Sequence, residues 1–341
     1  MAAPLCVIGA GRMGQGIAAS YLIAGLEVSL IDLKPRAADE QARVHDAARA
    51  AVRAELGMLA RLGVLSEDQA DAALARLRLR ARDDAAADLR AARAVFEAVP
   101  ERLDAKRDAL RWLDEACPAD AVVASTTSTF LVTELAALTA HPERFLNAHW
   151  LNPASLIPLV EVSRGPATRD AAADQLLELL RIAGKTPVMC APSAGYIVPR
   201  IQALAMNEAA RMVEEGVASA EDIDTAVRLG FGLRFSVLGL LEFIDWGGGD
   251  ILYYASRYLA GALDPRFAAP DVIARNMEQG RKGLRDGQGF YDYAGVDVDA
   301  YRMQRLEQLR DRLALLGLLP RCGSARDWAG AGAGAGAAPA A

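Results

Sequence analysis

The chain has 341 residues, 52% hydrophobic and 24% charged, which is enough apolar material for one large domain or two modest ones and excludes global disorder. The 44 acidic against 38 basic residues leave a formal charge of −6, which argues against a nucleic-acid or anionic-membrane partner. Cys6, Cys117, Cys190 and Cys322 form no metal-type pair and no dense disulfide pattern, so the expectation is a reduced, cytoplasmic protein without a metal site.

Neither a signal peptide nor an uncharged apolar span of membrane length is expected from the sequence. Leu5 to Ile8 reads as a short buried strand. It runs into Gly9-Ala10-Gly11-Arg12-Met13-Gly14 and a helix through Tyr21 and Leu22 that ends at Gly25. Val28 to Ile31 then forms a second strand closing on Asp32, completing a βαβ unit. Residues 38–76 read as a helical insertion. Leu56, Leu59 and Leu62 recur at helical spacing, Gly63 turns the chain, and Ser66 with Gln69 offers a capping box. Further strands are predicted at Leu77–Ala81, Ala94–Phe96, Ala121–Ala124, Phe145–Ala148, Leu159–Val162 and Thr186–Met189, with a helix over Arg169–Ile182.

Beyond Ala194 the periodicity becomes helical. Ile201, Leu204, Ala205, Ala209 and Met212 mark one amphipathic helix, Ser219 caps another, and Leu306–Leu318 supplies a third pattern. The fold class is therefore α/β: an N-terminal Rossmann-type dinucleotide-binding domain over 1–189, followed by a mostly helical domain over 190–320. Residues 321–341, nearly all alanine and glycine, are expected to be disordered.

Gly9, Gly11 and Gly14 have the G-x-G-x-x-G spacing. The first permits a tight turn, the second admits a pyrophosphate against the backbone, and the third lets helix and strand pack closely. The motif alone is weak, but the strand before it, the helix after it and Asp32 beyond agree. Asp32 would bind ribose hydroxyls and repel a 2′-phosphate, favouring NAD over NADP. Lys34 and Arg36 are either phosphate ligands that weaken this choice or members of a solvated loop.

Alcohol oxidation with NAD requires a base for the hydroxyl proton. His45 lies in the charged insertion and His141 precedes Pro142 in a loop, whereas His149 ends an apolar strand and enters Trp150-Leu151-Asn152-Pro153. Glu161, in the following strand, is either its carboxylate partner or an edge charge. Glu101 and Lys106 read alone as helix-surface charges, and Ser128 as a turn hydroxyl.

With these motifs the chain resembles the L-3-hydroxyacyl-CoA dehydrogenase family over nearly everything but the tail. The family pattern H-x-x-N-P followed by a V-E-V strand is present as His149 through Pro153 and Leu159-Val160-Glu161-Val162. The resemblance implies His149 as acid/base, Glu161 as its orienting partner, and Ser128 and Asn152 in the nicotinamide and substrate region. It also implies Glu101 and Lys106 near the cofactor, with Met13 among the residues of the glycine turn. Gly289-Phe290-Tyr291 matches a further signature that reads physically as packing. A homodimer is the expected assembly.

Two departures bear on the substrate. Pro199 stands where the family's G-F-x-x-N-R has asparagine, so no side-chain hydrogen bond is available there. The stretch from Gly230 to Gly239 resembles instead the branch containing L-gulonate 3-dehydrogenase (lambda-crystallin) and L-carnitine dehydrogenase, which act on small hydroxy acids without CoA. A related branch acts on pyridine carboxylates. Arg234 then reads as a bidentate clamp for a free carboxylate or as a packing arginine. Three functions follow: oxidation of a small 3-hydroxy acid, oxidation of a 3-hydroxyacyl-CoA, or NAD binding without turnover.

Overall fold

Alternation along the strands divides the core into two apolar clusters. Leu5 and Val7 of β1 (Leu5–Ile8) belong to one cluster, while Cys6 and Ile8 belong to the other. A sheet buried on both faces requires helices on both. α1 (Arg12–Ile23), α2 (Ala38–Arg61), α3 (Glu67–Leu74) and α7 (Asp170–Ile182) contribute to the first cluster. α4 (Ala86–Ala91), α5 (Leu103–Ala116) and α6 (Val132–Ala136) contribute to the second.

This computed structural model describes residues 4–320; the expected disordered tail 321–341, with Cys322, lies outside the described residues. The remaining strands are β2 (Val28–Asp32), β3 (Leu77–Ala81), β4 (Ala94–Glu97), β5 (Val122–Ser125), β6 (Phe145–Trp150), β7 (Leu159–Arg164) and β8 (Thr186–Cys190). The sheet order is β3-β2-β1-β4-β5-β6-β7-β8, and every neighbouring pair is parallel except β6 and β7. The carboxyl ends of β1, β2, β4, β5 and β6 therefore share one edge, and the order reverses between β1 and β4, where such sheets bind ligands.

The insertion forms as its pattern predicts. Ala48, Val52, Leu56 and Leu59 make the buried stripe of α2. Ser66 Oγ accepts from the Gln69 amide at 3.1 Å, and Gln69 Oε1 accepts from the Ser66 amide at 2.8 Å. One difference from expectation is at β6, which continues past Ala148 through His149 and Trp150, as β7 continues past Val162 through Arg164. The extension comes from antiparallel pairing of the two, which a strand read in isolation does not reveal. The short α4 also escapes periodicity, because it is alanine-rich and only one buried leucine, Leu89, marks its inner face.

Contacts divide the chain into two compact units between Asn207 and Glu208, within α8 (Val198–Glu214). The second unit is helical: α9 (Ala220–Ala226), a π-helical segment Val227–Gly232, α10 (Leu233–Phe235), α11 (Leu240–Gly247), α12 (Gly249–Ala262), α13 (Asp271–Glu278) and α14 (Val298–Leu315). Gly289-Phe290-Tyr291 wraps the buried Asp245 carboxylate, whose oxygens accept the Phe290 and Tyr291 amides at 3.0 and 2.9 Å. A Cβ on Gly289 would lie 2.1 Å from Asp245 Oδ1, which is why the motif begins with glycine. Among the described residues no helix is long and apolar enough to cross a membrane.

Candidate active site

The glycine turn after β1 has the steric features its spacing suggests. Gly9 adopts a φ of +105°, and a Cβ on Gly14 would lie 1.9 Å from the Gly9 carbonyl oxygen. Gly11 is the N-cap of α1, and a Cβ there would meet nothing within 4 Å. Open space over the first-turn amides suits a diphosphate. Met13 is half-buried in that first turn and packs against the main apolar cluster.

Asp32 closes β2 and is buried. Its Oδ2 accepts from Arg36 Nε at 2.6 Å, while Oδ1 has only a long contact to the Lys34 amide at 3.4 Å, leaving acceptor capacity for ribose hydroxyls. Arg36 is paired with both Asp32 and Glu40, so its charge is turned toward carboxylates. Open space at Gly11 and the free acceptor sites of Asp32 fit an NAD-type dinucleotide.

Behind the turns after β4 and β5 lies a buried charge network. Glu97 ends β4 with no exposure, accepting from Lys106 Nζ at 3.1 Å on each oxygen, from Ser125 Oγ at 2.5 Å and from the Val99 amide at 2.8 Å. Lys106 Nζ also lies 3.3 Å from Glu101 Oε2. A single oxygen of Glu101 accepts from Thr127 Oγ1, the Ser128 amide, the Thr129 amide and Thr129 Oγ1 at 2.5, 3.0, 2.9 and 2.7 Å. Burial alone would raise the Glu101 pKa, but the Thr127 and Thr129 hydroxyls and the Lys106 charge outweigh it and hold the carboxyl below its ordinary range. Lys106 is thus no helix-surface charge. It falls in the buried stripe 106, 109, 110, 113 of α5, a spacing that marked it as an interior lysine.

The antiparallel register sets His149 directly opposite Glu161. Cross-strand partners project to one face, so the side chains meet: His149 Nδ1 is 2.9 Å from Glu161 Oε2. Glu161 is fully buried, and its other oxygen accepts from the Ile197 and Val198 amides at 2.9 and 2.8 Å, at the start of α8. With Glu161 Oε2 as acceptor, the ring proton of a neutral imidazole sits on Nδ1. Nε2 has no hydrogen-bond partner among the described residues, although His149 is only 6% exposed.

Ser128, whose amide is fixed by Glu101, and Asn152, three residues beyond His149, are both exposed, and neither side chain has a hydrogen-bond partner among the described residues. Pro199 occupies the first turn of α8, where its missing amide disrupts nothing. Arg234 belongs to the helical unit. Its Nε donates to the Gly230 carbonyl at 2.5 Å and its guanidinium lies 4.9 Å from the Phe243 ring centroid, leaving its terminal nitrogens unpaired among the described residues. His45 contacts Gln41 on α2, and His141 lies 3.3 Å from Glu143.

Sequence reasoning passed over three residues of this region. Tyr196 stacks on the His149 ring, Asn147 binds the Tyr196 hydroxyl, and Lys185 holds the loop that follows β6. Lys185 carried a signal, as a lone lysine at the start of an apolar strand, and Tyr196 stands at the aromatic position of the G-F-x-x-N-R pattern, which gives no role for its ring.

A sheet of this order, with its glycine turn and Asp32, defines the class of NAD-binding α/β proteins, and the buried His149–Glu161 pair lies at its antiparallel β6–β7 step. The 3-hydroxyacyl-CoA dehydrogenase NAD-binding domain matches residues 4–193, and the C-terminal domain of the same enzymes matches 195–293; the chain belongs to the 3-hydroxyacyl-CoA dehydrogenase family. It is 31% identical to a 5-formyl-3-hydroxy-2-methylpyridine 4-carboxylate 5-dehydrogenase of Mesorhizobium japonicum over 307 residues, covering 89% of this chain and 95% of that one. It is 34% identical to a 3-hydroxybutyryl-CoA dehydrogenase of Bradyrhizobium diazoefficiens over 291 residues, covering 85% and 95%. Among solved structures, a 3-hydroxyacyl-CoA dehydrogenase from Archaeoglobus fulgidus matches with a TM-score of 0.72 and 30% identity, over 93% of this chain and 99% of that one.

Proposed function

We propose that this protein oxidises the 3-hydroxyl of a small hydroxy acid to the keto acid, with NAD as acceptor and His149 as acid/base. The observation that carries the reading is the buried His149–Glu161 pair with Nε2 unpartnered. Gly9, Gly11, Met13 and Gly14 would hold the diphosphate, Asp32 the ribose, and Glu101 and Lys106 would shape the nicotinamide side through the Ser128 loop. When bound, NAD supplies a two-electron acceptor for hydride. The chain's own task is the proton: Nε2 accepts it from the hydroxyl, Glu161 stabilises the resulting imidazolium through Nδ1, and the proton leaves to solvent. Ser128 and Asn152 would orient the hydroxyl and the carbonyl oxygen that replaces it. Such a base contributes roughly 10²–10⁴-fold.

A small acid rather than a thioester is favoured by Pro199, which offers no side-chain hydrogen bond, and by the unpaired guanidinium nitrogens of Arg234, which suit a free carboxylate. This is the L-gulonate and L-carnitine dehydrogenase branch reading; the relative named for a pyridine carboxylate also favours it. A second reading, oxidation of a 3-hydroxyacyl-CoA, is favoured by the relatives named as 3-hydroxybutyryl-CoA and 3-hydroxyadipyl-CoA dehydrogenases. In either case we assign 1–189 to cofactor binding and 190–320 to substrate binding and dimerisation of a cytoplasmic homodimer. Exposed Ile251, Tyr254 and Tyr258 on α12 support a self-contact.

NADH production should be compared for carnitine, gulonate, free 3-hydroxybutyrate and 3-hydroxybutyryl-CoA. Strong activity on the thioester alone would replace the first reading with the second. His149→Ala should lose about 10²–10⁴-fold in turnover on whichever substrate is used while retaining NAD affinity. Near-normal turnover would remove the acid/base assignment.

A further inference from the structure

We propose that Tyr196 is a positioning residue that fixes the plane of the His149 imidazole and ties it to the Ser128 loop, an inference that rests on His149 being the acid/base. The two rings are stacked, with centroids 4.8 Å apart and planes 14° from parallel. Stacking alone leaves a ring free to slide, but the Tyr196 hydroxyl is anchored at both ends. It donates to the Thr127 carbonyl at 2.9 Å and accepts from Asn147 Nδ2 at 3.1 Å. Thr127 precedes Ser128 in the turn after β5, and Asn147 lies two residues before His149 on the same face of β6. Asn147 Nδ2 also donates to the Phe130 carbonyl at 3.0 Å, so one amide and one phenol join both sides of the Ser128 loop to the strand bearing the histidine.

The backbone around Tyr196 is committed to this arrangement. Its φ is +46°, the only positive value at a non-glycine position among the described residues, and it follows Gly195 at +76°. Side chains rarely tolerate that region unless their surroundings over-determine it. The next two amides, of Ile197 and Val198, are those that grip Glu161. Segment 195–198 therefore places a ring on the imidazole face and two donors on its carboxylate partner. The ring is 7% exposed, and burial raises the phenol pKa, so the hydroxyl stays protonated and keeps both roles. The ionisable groups facing it are His149 on β6, Glu161 on β7, Cys190 on β8 and Glu101 beyond β4.

Two substitutions separate the ring from its hydroxyl. Tyr196→Phe keeps the stack and loses both hydrogen bonds of the anchor, and should lower kcat at least about 3- to 10-fold, the net worth of a single such bond, with KM for NAD unchanged. Tyr196→Leu removes the aromatic face that favours an imidazolium. It should lower kcat further than Tyr196→Phe does, again with KM for NAD unchanged. Wild-type kcat in Tyr196→Phe would overturn the positioning role while leaving the acid/base reading intact. Wild-type kcat in Tyr196→Leu, with only a lower Tm, would reduce the residue to a space-filler and overturn the proposal too. Full activity in His149→Ala would instead remove the underlying reading, and this inference with it.

Discussion

Two buried carboxylates, one in each unit, are held in nearly the same way and face different partners. Glu161 and Asp245 each accept two successive backbone amides, those of Ile197 and Val198 or those of Phe290 and Tyr291. Asp245 spreads them over both oxygens and adds the Tyr293 hydroxyl at 3.2 Å, so its acceptors face only neighbours that need tying down. Glu161 gathers both amides on one oxygen and leaves the other for His149. Amide donors satisfy a buried anion in either place; chemistry becomes available only where the second oxygen meets an imidazole whose far nitrogen is unpartnered.

The contrast breaks most visibly at Glu161→Gln. The amide oxygen can still serve Ile197 and Val198, but the NH₂ group then faces Nδ1. A neutral imidazole answers by carrying its proton on Nε2, the nitrogen we propose as the acceptor of the hydroxyl proton. Turnover should fall about 10²–10⁴-fold with NAD affinity and unfolding midpoint near wild type. Cofactor titration beside NADH-formation kinetics checks this. Equal losses in stability and turnover would mean that Glu161 is a structural tie like Asp245.

Asp245→Ala tests the other side. It orphans two part-buried amides and a buried phenol, and each unsatisfied donor costs about 1–3 kcal/mol less any solvation it regains, so a loss of about 2–4 kcal/mol is expected in urea denaturation. An unchanged midpoint would show that water replaces the carboxylate and that the two sites are not alike in their holding.

How much of this was legible follows the distance along the chain. Gly9, Gly11, Gly14 and Asp32 sit in one βαβ unit, where strand, turn and helix each leave a local signature, and the sheet could be counted from its apolar runs. His149 was legible as a histidine ending such a run. Its contact with Glu161 was not, because it depends on β7 reversing direction against β6, and periodicity carries no strand direction. Tyr196 lay further out of reach: a tyrosine after glycine gives no sign that its backbone takes a positive φ or that its ring returns to cover the imidazole. Lys106 was misread without the family only because its place in the apolar stripe of α5 went uncounted.

Lys185 offers the finest test, since it is a buried charge to which neither solution is applied. It is 6% exposed and has no carboxylate in ion-pair reach among the described residues; Nζ donates only to the Ala154 and Ile157 carbonyls, at 2.6 and 3.0 Å, and lies 5.5 Å from the Trp150 ring centroid. Burial lowers its pKa from the ordinary 10.5. A lowered ammonium pKa means that the folded chain binds fewer protons than the unfolded one between the lowered value and 10.5. Stability attributable to this group must then rise with pH across that window, the penalty for burying the charge being complete below it and gone above it. Other groups titrate there as well, so the quantity to follow is the difference between wild type and Lys185→Met in urea midpoints from pH 7 to 10. Wild type should gain on the variant as the pH climbs. Parallel profiles would mean that two carbonyl dipoles and an aromatic face hold a cation as well as water does, and the need for matched donors at Glu161 and Asp245 would lose its physical basis.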